Sequence, residues 1–373
     1  VTQVGDVKNL PVLFDVNTSN ILEIEIIVKK LIDCYKELWD IRELSWDFNK
    51  HILIQEGTKD APILNTATYI EEFFSKTINN ISLLESELNK FLIEIYELSN
   101  EIESQTNISE LTIPNSEITV KNDKLEFEVK ELIFSLISYA IGCIFGRYSL
   151  DKPGIILANQ EDTLQEFLKL HDNNPSFLPD DDNIIPVLDD EWFADDIVGR
   201  FKVFLKAAFG EENLEENLNF IEDTLGKDIR KYLVKDLYND HIKRYKKRPI
   251  YWMFSSPKGH FKALIYMHRY QPDLCSKMLN DYLQAFISKL EAAKETQNRL
   301  SLREDISARE KTLAIKEVDK LEAMIKDCKI YEKTLFNTAT QKIVIDLDDG
   351  VKVNYLKFKE VVVPIKGLEK DEQ

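Results

Sequence analysis

The side chains in this chain that could do chemistry stand mostly in charged runs. One run is basic: Lys243, Arg244, Lys246, Lys247 and Arg248, with Lys258 further on. Such a cluster can meet phosphate oxygens. It is equally the composition of a solvated helix end whose cations complement the helix dipole. The other runs are acidic: Asp180-Asp181-Asp182, Asp189-Asp190-Glu191 and Asp195-Asp196. The first two would hold a divalent cation only if they converged. Adjacent carboxylates point apart on most backbones, so no metal site is assigned. The acids read instead as a solvated loop or one that docks on a basic partner.

Catalytic patterns are missing. An adenine-amine methyltransferase needs Asn/Asp-Pro-Pro-Tyr/Phe to hold the amine and stack the flipped base. The nearest match, Asn174-Pro175-Ser176-Phe177, lacks the second proline, and no GxG supplies a methyl-donor loop. No GK[ST] or GxSxG occurs. Asp346 to Gly350 misses the EF-hand spacing and reads as a turn. His260 and His268 would lie about 25 Å apart on one strand, too far to share a metal. No catalytic, cofactor-binding or metal residue is assigned.

The elements that must position the basic run are legible. Pro249 to Phe254 and Phe261 to Met267 are apolar, aromatic-rich runs split by Ser255-Ser-Pro-Lys-Gly259, which predicts a β-hairpin. Neither run alternates, so both faces should be buried, and Tyr251 and Trp252 read as core. A helix over 228–245 would deliver the cations to the hairpin's mouth. Helical spacing predicts further helices over 21–48, 67–102, 132–146, 194–208, 214–225, 273–297 and 303–335, the second with a coiled-coil-like seam. Whether Ser301 separates the last two as an antiparallel pair or lies within one rod stays open. Hairpins are expected around Asn122-Asp123 and, closing the chain, between KIVIDL and VKVNYLKF. The first 20 residues read as irregular and the tail from Lys366 as frayed.

Four stretches stand out: YKKRPIYWMFSSPKGHFKALIYMHRY (Tyr245 to Tyr270), GRYSLDKPGIILANQ (Gly146 to Gln160), FLPDDDNIIPVLDDEWFADDIVGRF (Phe177 to Phe201) and IDLDDGVKVNYLKF (Ile345 to Phe358). Together they resemble the PglX proteins, the adenine-specific DNA methyltransferases of BREX phage-defence systems. The resemblance implies a C-terminal fragment of such an enzyme, whose catalytic motifs lie upstream; the chain starts at Val1 rather than Met. It also implies a parent that uses S-adenosylmethionine to mark host DNA, with DNA and other defence-system proteins as partners.

At 373 residues the chain can bury a substantial core, and 44% hydrophobic content fits an ordered protein. A net charge of −18 repels nucleic acid on average, so any DNA contact must be local. Cys34, Cys143, Cys275 and Cys328 form no CxxC pair, which argues for reduced thiols in the cytoplasm. The longest apolar run, Leu132 to Gly146, is too short for the roughly twenty residues a bilayer needs. Its Gly142 and Gly146 read as close packing in a core. The fold expected is mainly α (α+β), long helices with small antiparallel hairpins and no Rossmann sheet. Three parts are expected: a helical subdomain (1–150), an acidic loop-rich segment with the basic hairpin (151–270), and long helices with a closing hairpin (271–373). Two functions follow. One is a non-catalytic region that helps a methyltransferase grip DNA through Lys243, Arg244, Lys246, Lys247, Arg248 and Lys258, or that assembles its complex. The other is an acidic protein-interaction scaffold with no DNA contact. Alignment of the cluster with Arg230, Lys231 and Lys235 would favour the first; cover by the acids of 180–196 would favour the second.

Overall fold

A computed structural model describes residues 18–55, 61–113, 116–122, 124–160 and 162–368. Most of the opening residues, Asp123 of the first hairpin turn and the last residues of the tail lie outside these. The described chain is mainly α and forms two compact units, residues 1–48 with 65–132, and 49–64 with 133–373.

The first unit contains α1 (Thr18–Asp40), most of α2 (Ile63–Ile95) and the hairpin of β1 (Ile118–Lys121) and β2 (Lys124–Phe127). α1 buries Ile27, Leu31 and Leu38; α2 buries Phe74, Ile78, Ile81 and Leu84, all at three-four spacing. Tyr35 donates to Glu85 at 2.6 Å. The seam weakens toward its C-terminal end, where Leu88, Phe91 and Ile95 are only half-buried. The helix stops before the expected residue 102. Glu97 takes a left-handed φ of 56°, and Leu98 N–H donates to Ile93 O, a Schellman closure.

The core of the second unit is a three-stranded antiparallel sheet of β3 (Ile185–Pro186), β5 (Lys262–Tyr266) and β4 (Tyr251–Ser255), in that order. The expected hairpin is present, pairing Tyr251 with Tyr266 and Ser255 with Lys262. Tyr251, Trp252, Met253 and Phe254 are all buried, as two covered faces require. α3 (Val129–Ile144) carries residues of zero exposure all round, from Ile133 to Ile144. A Cβ on Gly142 would sit 2.3 Å from the Tyr148 ring, so only glycine lets that ring pack there. Among the described residues no helix is long and apolar enough to cross a membrane.

The acidic stretch gains α4 (Leu164–Leu170) and leads into α5 (Ile197–Phe209), capped by Asp196. α6 (Leu214–Leu225) ends at Gly226, whose φ of 69° is the left-handed cap expected there. The single helix expected over 228–245 is two, α7 (Ile229–Lys235) and α8 (Leu237–Arg244), joined at Asp236.

Beyond the sheet, α9 (Leu274–Lys277), a π-turn (Met278–Leu283) and α10 (Gln284–Ser301) run on without a break in helical backbone. α11 (Ala308–Thr340) opens on a capping box of Ser307 and Glu310. Gln284 meets Glu332 and Glu291 meets Lys329, so the two long helices are an antiparallel pair. The closing hairpin is not formed. Asp346 caps a short 3-10 turn, and α12 (Gly350–Leu356) follows. Fully buried Asn354 donates to Asp346 O and Gly350 O, bonds a strand could not offer. Tyr355 and Phe358, one helical turn apart, pack on Trp252 with centroids 5.5 Å away. The strand-like contact comes later: Val361 and Val363 bond the outer edge of β4, through Ser255 N to Val361 O and Val363 N to Met253 O.

Candidate anion-binding site

The basic run sits on the turn between α8 and β4. Lys247 N–H donates to Ile242 O at 2.8 Å and Arg248 N–H to Tyr245 O at 2.9 Å, which closes the helix end. Two lysines in succession take left-handed backbone, Lys246 at φ 50° and Lys247 at φ 64°. Glycine is the residue that enters this region without steric cost, and α6 ends on one. Here the chain accepts strain and keeps two charges.

His241 holds this turn to the hairpin. Its Nε2 accepts from the N–H groups of Ile250 and Tyr251, both at 3.2 Å. Burial, then the nearby Arg244 and Arg147 guanidinium groups, pushes its pKa down to about 3, so the ring stays a neutral acceptor. Its ring packs against Tyr245 and Tyr251.

Lys246, Lys247 and Arg248 are exposed, and none forms an ion pair among the described residues. Lys243 lies 3.5 Å from Asp240, an exposed pair of little strength. Arg244 is half-buried beside Asp240 and His241. Lys258 is exposed on the hairpin turn, at the far end of β4, about 17 Å away at the usual rise per residue. The structure therefore groups Lys246, Lys247 and Arg248, with Lys243 and Arg244 on the helix before them, and sets Lys258 apart.

Arg230 does not extend the stripe. Its guanidinium forks onto the buried Asp196 with two contacts of 2.9 Å and reaches Leu188 O. The acids of 180–196 do not cover the cluster either. Asp182 and Asp195 both lie within hydrogen-bond reach of the Tyr282 hydroxyl, Asp189 meets Lys320, and Arg269 bonds the carbonyls of Asp180 and Asp181. Asp180 is buried beside Asp182, and its pKa rises to about 7, burial being the larger cause.

Asn174 to Phe177 forms a packed turn. Ser176 bonds Asp151, and Phe177 is buried with its ring edge-on to Phe204 at 5.8 Å. The Phe177 ring therefore presents no open face at this turn. Ser149 and His171 approach to 2.7 Å, but the serine oxygen also accepts from the N–H of Asp151, and both side chains are buried. That pair is structural.

Sequence reasoning missed two features. The first is Asp327 of α11, 2% exposed, which gathers Ser256 Oγ (2.5 Å), Lys258 N–H (3.0 Å) and His260 Nδ1 (3.1 Å) and so locks the hairpin turn. The second is Arg147, buried against the hydroxyls of Tyr148 and Tyr266. Asp327 is met by Ser256, Lys258 and His260 of the stretch SSPKGH, and Arg147 by Tyr148 beside it and Tyr266 of β5.

No family model matches the chain. By sequence it is kin to proteins described as adenine-specific methyltransferases. One is BrxX of Escherichia coli O9:H4 (strain HS), 34% identical over 385 residues, which covers 98% of this chain and 31% of that protein. Another is PglX of Lacticaseibacillus casei (strain Zhang), 33% identical over 387 residues, with 98% of this chain and 30% of that protein covered. The chain is a homologue of the C-terminal portion of these two proteins, and it spans under a third of their length.

Proposed function

We propose that this chain is a non-catalytic region of an adenine-specific DNA methyltransferase and that it grips the DNA backbone. The observation that carries this reading is the turn Lys246-Lys247-Arg248: three exposed cations without ion-pair partners among the described residues, the two lysines on strained backbone, in a chain of net charge −18. Phosphate contacts need such positioned cations and no base-specific chemistry. Lys243 and Arg244 would add to the same face, and Lys258 would touch a separate phosphate. Methyl transfer would lie elsewhere in the whole protein, with S-adenosylmethionine as donor, since neither donor loop nor base clamp occurs in this sequence. The whole protein would act in the cytoplasm, beside other subunits of a BREX-type defence system.

Fluorescence anisotropy with duplex DNA across a salt series tests this. Binding should weaken linearly in log–log salt. Changing Lys246, Lys247 and Arg248 together to Ala should lower the magnitude of the slope by up to about 3, one unit per lost phosphate contact. No binding at low salt, or a slope untouched by the triple change, would remove the DNA role. The scaffold reading would then lead. It is favoured by the apolar side chains that α1 exposes, Leu22, Ile26, Ile32 and Trp39.

A further inference from the structure

Four arginines of the second unit are buried or half-buried, and three of them meet a carboxylate or backbone carbonyls. Arg230 forks onto Asp196, Arg269 bonds three backbone carbonyls, and Arg200 bonds Leu178 O and lies over the Phe177 ring, although its buried Nε has no hydrogen-bond partner among the described residues. Arg147 differs. It is 9% exposed, and its hydrogen bonds run only to neutral groups: Nε to Tyr148 OH at 3.0 Å and Nη1 to Tyr266 OH at 3.2 Å. A guanidinium carries five N–H donors. No carboxylate forms an ion pair with it among the described residues.

The surroundings of Arg147 deepen the imbalance. The Tyr148 and Tyr266 rings flank its guanidinium, with centroids 5.3 and 6.0 Å away. The Tyr266 hydroxyl spends its own proton on Leu157 O, so toward Arg147 it is fixed as an acceptor. On the face of the same Tyr266 ring lies His268, stacked at 4.8 Å, whose buried Nδ1 has no hydrogen-bond partner. The charged group close enough to His268 and His241 to disfavour their protonation is in each case an arginine, Arg147 for both and Arg244 also for His241. Tyr245, the residue before Lys246, faces Arg147 as well. A buried cation and an orphaned imidazole nitrogen thus lie together near Tyr245, at the base of the basic turn, and among the described residues no carboxylate pairs with the cation. Burying a charge without a partner is costly, and an anion that completes the set removes that cost.

We propose that Arg147 and His268 form the floor of an anion subsite that takes one phosphoryl group beside the turn Tyr245 to Arg248. Arginine's planar fork suits two phosphate oxygens, His268 Nδ1 offers a further bond, and the neighbouring lysines draw the anion in. The phosphoryl group belongs either to a nucleic-acid backbone or to a free phosphate compound. The subsite stands without the DNA role proposed above.

Thermal unfolding of the chain, with inorganic phosphate or pyrophosphate titrated against chloride at matched ionic strength, tests the subsite. Phosphate should raise Tm at millimolar concentration, more than chloride does. Arg147→Met should abolish the shift, and His268→Ala, which leaves the cation in place, should weaken apparent affinity several-fold. If Arg147→Met does not fold, His268→Ala alone decides. No shift with either anion, or a shift that both variants retain, overturns the proposal. The source follows from a competition: phosphate that displaces duplex DNA assigns the subsite to a backbone phosphate, and phosphate that binds without displacing DNA assigns it to a free compound. A phosphate shift in a chain that binds no DNA would retain the subsite and end the DNA reading.

Discussion

Asp327 shows how a single side chain fixes the hairpin. It reaches from α11 to three donors on the turn, and its carboxylate is shielded from water. Asp327→Ala would strand those donors in a buried place, at about 3 kcal/mol or more. Urea unfolding should show a lower midpoint with an unchanged slope, and Asp327→Asn should lose less. A midpoint unaltered by Asp327→Ala would mean that the turn holds without the aspartate. Tyr251 and Trp252 are a contrasting case at the same scale. They look like stacking residues by type, yet both are core, and the unbroken apolar run around them already said so.

At the scale of elements, the α8–β4 turn carries the tension between stability and charge. Lys247→Gly removes left-handed strain and should leave stability unchanged or raise it by up to about 1 kcal/mol. It should also take about one unit from the salt slope of DNA binding. Lys247→Val should destabilise, since a β-branched residue is poorly suited to positive φ. Chemical denaturation of the two variants, run beside anisotropy, separates the backbone effect from the charge effect. Equal stability for the Gly and Val variants would show that the turn is not strained. The elements also mark what pattern reasoning can reach. α6 and the β4–β5 hairpin were legible because apolar spacing, Gly226 and a Ser/Pro/Gly turn all agree. The closing segment was not, because its Val and Ile residues mimic a strand while the deciding bonds come from Asp346 and Asn354. β3 escaped because two residues carry no period, and the break at Asp236 because the apolar pattern runs straight across it. Of the candidate site, the cations could be read from sequence; Arg147 could not, since a lone arginine beside a tyrosine has no spacing to recognise.

Across the whole molecule, buried histidines set the response to acid. Burial, then Arg244, pushes His51 down to about 3; burial, then Arg244 and Arg147, does the same to His241; burial, then Arg147, lowers His268 to about 4. Each folded value lies below the ordinary 6.5. The unfolded chain therefore binds protons that the folded chain refuses, and stability is lost as pH falls from about 6.5 toward 4. At pH 5 each histidine costs up to about 2 kcal/mol. Asp180 works the other way. Its folded value of about 7 lies above the ordinary 3.8, so its burial is penalised at neutral pH and relieved as pH falls. Three histidines outweigh one aspartate, and unfolding free energy should drop between pH 7.5 and pH 5. Asp180→Asn removes the offset, so the variant should be the more stable at pH 7.5 and show the steeper fall. Parallel curves for the two proteins would mean that Asp180 is ionised at neutral pH.

The Val361 to Val363 contact on β4 has a practical bearing. With the two residues of β3 against β5 and this short strap against β4, each long strand of the hairpin is paired along part of its outer edge. A fragment cut before Val361 would keep every long helix of the unit and still uncover a row of backbone donors and acceptors beside Tyr251 to Ser255. Bare edges of that kind recruit other chains. The last few described residues should therefore guard against self-association, and a version cut before Val361 is expected to associate more readily than the whole chain.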